Sequence, residues 1–384
     1  MLGACLALGA AQICVSLRFL LRRLQERPAG AAAQRPSALV VVPCCGVSEG
    51  FDGNVRALLS QDYAGRSEYV FVAPSREDPA WARLREILPP SDPRVRLLAS
   101  GETPARCSGK SADVLFALRQ APPGSEVLVF ADSDLRVRPD WLASLIAPLS
   151  QPRVGAATSL MLYRPLRPSP ASLLRMAWMA AGIPYLELLG VASGQSIAMR
   201  RRDFEELHVA ELWSRSLLED LALYPLLRKA AKKVAFVGRA MSVSREGTGL
   251  AEFLALTNKW MLAFKVYVPL VWILGFLTTL AKAYILFWAL RPPVSWGLLA
   301  LLFGLDAANL ALLSQAYRAC LDGERTGRQW AQGAGLGRWA LLLAPVLQLV
   351  YIVNFLSSLA AREVRWGRYR YRLDGPQDVS AAPL

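Results

Sequence analysis

Val127-Leu128-Val129-Phe130-Ala131-Asp132-Ser133-Asp134 carries the reading of the fold. The run from Val127 to Ala131 has strand length and no polar member, which predicts a buried strand. Acids placed where such a strand ends point into the crevice where open α/β sheets bind ligands. Two carboxylates one residue apart, Asp132 and Asp134, offer hard oxygen ligands suited to a magnesium or manganese ion that already holds phosphates. An Asp-x-Asp also closes strands as an ordinary turn, so the neighbouring sequence decides between the two.

Upstream, Ala38-Leu39-Val40-Val41-Val42-Pro43 predicts a first buried strand after a polar lead-in, Gln34 to Ser37. A helix follows with Val55, Leu58 and Leu59 on one face. Glu68 to Ala73 reads as a second strand, Trp81 to Leu88 as a second helix and Val95 to Leu98 as a third strand. Lys110 opens a helix carrying Val114, Leu115 and Leu118, which delivers the chain to the Asp132 strand. Strands alternating with helices over about a hundred residues predict an α/β domain with a mainly parallel sheet. Val154 to Thr158 and Gly194 to Met199 add two strands. Between them, Ala171 to Val191 is apolar but interrupted by Arg175, Pro184 and Glu187, the pattern of an interfacial helix or hydrophobic platform.

At 384 residues the chain exceeds one ordinary domain, and 54% hydrophobic against 19% charged residues, gathered in long runs, marks a polytopic membrane protein. Leu2 to Val15 has no charge, and Arg18, Arg22, Arg23 and Arg27 follow it. A cleaved signal peptide needs basic residues before its apolar core, so 1–24 reads as a retained anchor with its basic flank in the cytosol. Further spans are expected at about Val266 to Leu290, Trp296 to Tyr317 and Trp339 to Leu359. The expected organisation is an anchor at 1–24, a cytosolic domain at 36–250, an interfacial helix with about three spans at 251–361, and a basic tail at 362–384. Counting four crossings puts the tail outside, whereas Arg362, Arg365, Arg368, Arg370 and Arg372 argue for inside, so one segment reads as re-entrant or interfacial. The net charge of +14 suits anionic leaflet lipid; no nucleic-acid motif accompanies it. Cys5, Cys14, Cys44, Cys45, Cys107 and Cys320 show no metal-ligand spacing and read as reduced thiols.

Other candidates fall where this scaffold gathers them. Asp78 follows the second strand, placed to hydrogen-bond a nucleotide or to close an Asp-Pro turn. Lys110 is a point cation for phosphate or a solvated helix start. Glu219-Asp220 lies among Leu217, Leu218, Leu221 and Leu223, an uncomfortable setting for a surface acid. Lys259-Trp260 precedes a span, where an aromatic belt is the simpler reading. His208, the only histidine, reads as an ordinary loop or helix residue. Lys282 and Asp306 lie inside neighbouring spans, ~13 and ~17 Å from the Arg291 to Val294 connection at ~1.5 Å per residue, which predicts a buried ion pair, or a polar lipid-headgroup site.

Taken in order, Gly46-Val47, Leu59 with Asp62-Tyr63, Asp78-Pro79-Ala80, Asp132-Ser133-Asp134 with Arg136-Val137, Glu219-Asp220 and Trp366-Gly367-Arg368-Tyr369-Arg370 resemble the ceramide glucosyltransferases, membrane-anchored inverting sugar-nucleotide transferases with a GT-A type domain. The resemblance covers roughly residues 38 to 260 and the C-terminal tail. It implies that Asp78 contacts the donor nucleotide, that Asp132 takes part in metal and diphosphate binding, and that Asp220 is the catalytic base. It also implies UDP-glucose as donor, a ceramide acceptor in the bilayer and a divalent cation, Mg2+ or Mn2+. The chain departs from the family pattern at Leu256-Thr257-Asn258-Lys259-Trp260, where the tryptophan is kept but lysine replaces a bidentate arginine. Ile183-Pro184 stands where animal members have His-Pro. Another lipid acceptor (hopanoid, sterol or diacylglycerol), a processive polysaccharide synthase and a noncatalytic membrane scaffold are the alternatives.

Overall fold

The computed structural model describes residues 1–26, 35–165, 167–321 and 336–384. Arg27 and Gln34, read above as part of the basic flank and of the lead-in, lie outside them. The chain forms two compact units.

The α/β unit comprises Arg27–Met161, Gly190–Glu246 and Arg362–Leu384. Its strands include β1 (Ala38–Pro43), β2 (Ser67–Ala73), β3 (Val95–Ala99), β4 (Val127–Ala131) and β5 (Val154–Ser159), joined by Ser196–Arg200 and Lys233–Phe236. They make one seven-stranded sheet in the order β3, β2, β1, β4, Ser196–Arg200, β5, Lys233–Phe236. β1 runs parallel to β2 and β4, β2 parallel to β3, and β5 parallel to Lys233–Phe236. Ser196–Arg200 runs against both its neighbours. Mainly parallel is therefore the observed arrangement, as the alternating pattern predicts.

Both faces of the central strands are covered, which explains their unbroken apolar sequences. Leu39 and Val41 of β1, Leu128 and Phe130 of β4, and Ile197 and Met199 join one core with Phe204, Trp213 and Leu227. Val40, Val42 and Val129, which alternate with them, are equally buried. From β1 the chain steps outward to β2 and β3, then returns to place β4 on the other side of β1. The strand order reverses between β1 and β4, and ligands of open α/β sheets bind beyond the carboxyl ends at that point.

The segment read as a basic tail is a three-stranded antiparallel sheet, Glu363–Trp366, Tyr369–Gly375 and Asp378–Pro383. Its arginines occupy one side of a two-residue alternation: Arg370 and Arg372 are exposed while Tyr371, Leu373 and Val379 are buried. A count of charges alone misses that periodicity.

The helical unit comprises Met1–Glu26, Leu162–Leu189 and Gly247–Ala361. Four of its described helices are long and apolar enough to cross a membrane: Leu2–Gln25, Pro269–Leu290, Trp296–Leu321 and Gly337–Ala360. The first C-terminal span begins at Pro269 rather than about Val266, because the preceding helix Leu250–Tyr267 ends at Val268 and Pro269 opens a new one. Helix Pro170–Leu189 groups with this unit, whereas the sequence reading counted it inside 36–250. Its Met176, Ala177, Ala180 and Ile183 are buried. Lys282 Nζ lies 2.5 Å from Asp306 Oδ1, so the ion pair drawn from depth counting is present. Gln12 Oε1 accepts from Lys282 at 2.8 Å and Gln348 Nε2 donates to Asp306 Oδ2 at 3.1 Å, which completes the polar cluster.

Candidate active site

Asp132 and Asp134 leave the end of β4 at the strand-order reversal. The Asp132 N–H donates to the Gln195 carbonyl at 3.2 Å, tying the turn to the antiparallel neighbour strand. Lys110, on the first turn of helix Gly109–Gln120, reaches Asp132 Oδ1 at 2.5 Å and Glu219 Oε1 at 2.5 Å. It also donates to the Gly194 carbonyl at 3.0 Å. An ammonium has three hydrogens, and all three are used here. Burial favours the neutral amine, but Asp132 and Glu219 outweigh it and hold Lys110 charged, its pKa raised. In this structure Lys110 is thus a bridge between acids, not the solvated helix start of the simpler reading.

Asp220 stands on the other side of Gly194. Its Oδ2 accepts from the Gly194 N–H at 2.7 Å and its Oδ1 from the Leu221 N–H at 2.7 Å, at the N-terminus of helix Glu219–Lys229. Burial and the adjacent Glu219 charge push its pKa up to about 6, against the pull of the two backbone N–H groups and Lys110. A β-carbon on Gly194 would lie 2.5 Å from Glu219 Oε1, 3.2 Å from Lys110 Nζ and 3.3 Å from Asp220 Oδ2, so any larger residue would have to displace the Glu219 carboxylate. Trp213, fully buried, donates from its indole to the Glu219 carbonyl at 3.0 Å and fixes the start of that helix.

Asp134 supplies the test for a cation. Its Oδ1 is shut off from solvent and has no hydrogen-bond partner among the described residues. Burial, then Asp132 and Glu246, push its pKa up to about 7. A buried acid crowded by two others is costly unless a positive charge joins it, and a divalent cation on Asp132 and Asp134 meets that need. Among the described residues there is no cluster of three or more His, Cys, Asp or Glu side chains fit to hold a metal alone. The pair matches the mode in which Mg2+ takes one or two carboxylates and completes its shell with substrate phosphates and water.

Asp78 forms a second group beyond the ends of β1 and β2. It caps helix Pro79–Ile87, its Oδ1 accepting from the Ala80 N–H at 2.9 Å and from the Gly46 N–H at 2.8 Å. Arg368 Nη2, from the C-terminal sheet, sits 2.5 Å from Asp78 Oδ2. Asp113 lies nearby, its pKa pushed up to about 6 by burial, with the Ser100 hydroxyl donating to it and Asp78 adding repulsion. Cys44 joins the two groups: burial raises its thiol pKa, while Ser133 hydrogen-bonds it and Asp78 and Asp113 act on it.

The structure therefore brings Lys110, Asp132, Asp134 and Asp220 together, with Asp78 next along the same sheet edge. Lys259 and Trp260 belong to the helical unit, where Lys259 is buried and Trp260 stacks on Trp178 with ring centroids 5.6 Å apart. Sequence reasoning missed Gly194, Asp113, Glu246 and the Asp78 contact of Arg368. It named Glu219 without assigning it to Lys110; the pairing of two acids among leucines was the available signal. His208 holds a left-handed backbone (φ 53°) between two short helices.

Glycosyl transferase family 21, the ceramide glucosyltransferase family, matches residues 2–378. No curated protein matches the chain at a significant level. Among solved structures, a mannosyltransferase from Pyrobaculum calidifontis in complex with GDP-mannose and Mn2+ is 19% identical, covering 93% of this chain and 98% of its own, with a TM-score of 0.47. Glucosyl-3-phosphoglycerate synthase from Mycobacterium tuberculosis, with Mn2+, UDP and glucosyl-3-phosphoglycerate, is 17% identical over 60% of this chain and 79% of its own, with a TM-score of 0.41. With a family match over nearly its whole length and a gathered set of acids at the carboxyl edge of its sheet, the chain belongs to glycosyl transferase family 21 and is a glycosyltransferase.

Proposed function

We propose that this transferase moves glucose from UDP-glucose to the primary hydroxyl of ceramide, inverting the anomeric centre, from a GT-A type domain that faces the cytosol. The observation that carries the chemistry is the Asp132, Lys110, Glu219, Gly194, Asp220 constellation, in which a carboxylate with a raised pKa stands beside groups suited to a diphosphate. Asp220 takes the proton of the acceptor hydroxyl as that oxygen attacks the sugar. Its backbone hydrogen bonds orient the carboxylate for this. Lys110 holds Asp132 and Glu219 in place and offsets phosphate charge. A divalent cation held by Asp132 and Asp134 would supply positive charge to the departing diphosphate. Asp78 is the residue for the nucleotide end of the donor, and Lys259 and Trp260 are further donor-binding candidates inherited from the resemblance. One attack from the face opposite the leaving group turns an α-linked donor into a β-glycoside.

The apolar helices, read as membrane spans, tether the chain to the bilayer in which the acceptor stays, which replaces a search in three dimensions by proximity. Ile183 in place of histidine and the altered Lys259-Trp260 segment favour a second reading, the same chemistry on a hopanoid, sterol or diacylglycerol. Membranes carrying the protein, supplied with several sugar nucleotides and a lipid panel with and without chelator, test both. Glucosylceramide formed only with UDP-glucose and free divalent cation supports the first reading. A glycosylated sterol, hopanoid or diacylglycerol instead replaces the acceptor, and absence of any glycolipid rejects the proposal.

A further inference from the structure

β5 is apolar up to Thr158, and the Thr158 side chain is fully buried. A hydroxyl in such a place is costly unless its hydrogen bonds are made, and here they all go to one turn. Oγ1 accepts from the Ser193 N–H at 2.9 Å. Its single hydrogen is shared between the Ser196 carbonyl at 2.9 Å and the Ser193 carbonyl at 3.2 Å. Valine has the same shape and would supply none of these bonds.

Ser193 to Ser196 is a tight turn, closed by the Ser196 N–H donating to the Ser193 carbonyl at 3.3 Å, so Thr158 grips it at both ends. The Gln195 side chain adds a second hold, its Oε1 accepting from the Met161 N–H at 2.8 Å. The middle of the turn carries the three backbone groups that meet the acid cluster. The Gly194 N–H donates to Asp220, the Gly194 carbonyl accepts from Lys110, and the Gln195 carbonyl accepts from the Asp132 N–H. A glycine there lowers the cost of other backbone conformations, which makes the tie to β5 matter.

We propose that Thr158 is a positioning residue for transfer: its hydroxyl fixes the Ser193 to Ser196 turn, and the turn, through Gly194, holds the Asp220 carboxylate in the orientation that takes the acceptor's proton. This rests on the reading of Asp220 as the base. Oδ1 of Asp220 is fixed by its own helix through the Leu221 N–H, whereas Oδ2 depends on the turn. Asp132 and Lys110 keep their contact with each other if the turn loosens, so donor binding depends on Thr158 less than proton transfer does.

The test compares Thr158→Val and Thr158→Ser with the unaltered full chain in lipid nanodiscs with Mg2+, UDP-glucose and ceramide. The first readout is kcat against pH. The charged groups facing Asp220 are Glu219, which pushes its pKa up, and Lys110, which lowers it, and both remain in the variants. The Gly194 N–H also lowers it, so loss of that bond favours the protonated acid and moves the acid limb upward from about 6. Thr158→Val is expected to lower kcat about tenfold at neutral pH and to raise the midpoint of the limb by about one pH unit, with donor KM within about twofold. Thr158→Ser, which keeps the hydroxyl, is expected to restore both. A mere loss of folded protein would scale the whole profile and leave its midpoint in place. The second readout is hydrogen exchange across Gly190 to Arg200, which is expected to quicken in Thr158→Val and not in Thr158→Ser. An unmoved midpoint or unchanged exchange in Thr158→Val overturns the inference, as does a serine variant that matches the valine one. If the valine variant does not fold, Thr158→Ala with both readouts unchanged overturns it. An unaltered protein without an acid limb would reject Asp220 as the base and the catalytic part of the inference with it, while the exchange result still decides the clamp.

Discussion

Lys110 uses every hydrogen of its ammonium inside the protein, and that decides how the acids around it behave. Replacing it by methionine leaves Asp132 and Glu219 facing each other without a counter-charge, so donor binding is expected to weaken at neutral pH even where metal is saturating, measured as a rise in donor KM. Asp220 gives a pH prediction. Its active form as a base is the carboxylate, and its pKa is pushed up to about 6, so kcat is expected to fall as the pH drops through 6 and to level off above it. A profile flat from pH 4 to 8 (a span of ~two units either side of that value) contradicts the assignment. The aspartates themselves were legible in the sequence because acids after an apolar strand have few places to go. The contact of Arg368 with Asp78 was not, since nothing in 290 residues of separation announces it. Asp113 was hidden for another reason: on a helix with one apolar face, a single acid reads as its solvated side.

Between strands and helices, the site depends on the start of helix Glu219–Lys229. Trp213 packs edge-on against Phe130 at 4.8 Å between ring centroids and against Phe204 at 5.4 Å, and its indole holds the Glu219 carbonyl. Trp213→Ala is expected to cost about 3–5 kcal/mol in stability, read from denaturant unfolding of the detergent-solubilised protein. Trp213→Phe keeps most of the packing and isolates the lost hydrogen bond; it is expected to reduce transfer more than stability. Gly194→Ala is expected to abolish transfer, because its new methyl group would meet the Glu219 carboxylate at 2.5 Å, while thermal unfolding shifts only modestly. The strands β1 to β5 and Ser196–Arg200 were readable to within a residue or two because buried strands demand apolar runs, whereas Lys233–Phe236, short and only partly buried, and the C-terminal strands were not read. Helix Pro170–Leu189 was harder: Arg175, Pro184 and Glu187 spoil its hydropathy, yet Arg175 stacks over the Tyr163 ring at 3.5 Å and Glu187 pairs with Arg23 at 3.1 Å, which offsets their burial.

For the chain as a whole, the C-terminal sheet bears on the parity question that charge counting left open. Residues 362–384 belong to the same compact unit as the seven-stranded sheet and hydrogen-bond to it at Asp78, Gly109 and Ala105. Both lie on one side of any membrane. An even number of complete crossings between Glu246 and Arg362 is therefore expected of the helices long and apolar enough to span. Glycosylation acceptor sites inserted after Arg291 and after Leu384 are expected to leave the second unmodified; modification at the C-terminus contradicts the shared side. The buried Lys282 and Asp306 pair joins two of these helices, and removing either partner strands a charge at a cost of about 3 kcal/mol. The exchanged protein, Lys282→Asp with Asp306→Lys, is expected to express better than either single change; equal loss in all three contradicts the pairing as a source of stability.

The central claim is that Asp220 does the proton transfer while Asp132 and Asp134 serve the donor, and Asp220→Asn tests it most directly. UDP binding and transfer of labelled glucose to ceramide would be measured on the same preparation in lipid nanodiscs with Mg2+. The expected result is UDP affinity within about twofold of the unaltered protein and transfer lowered about 10²- to 10⁴-fold. Undiminished transfer by Asp220→Asn, with binding intact, would contradict the account.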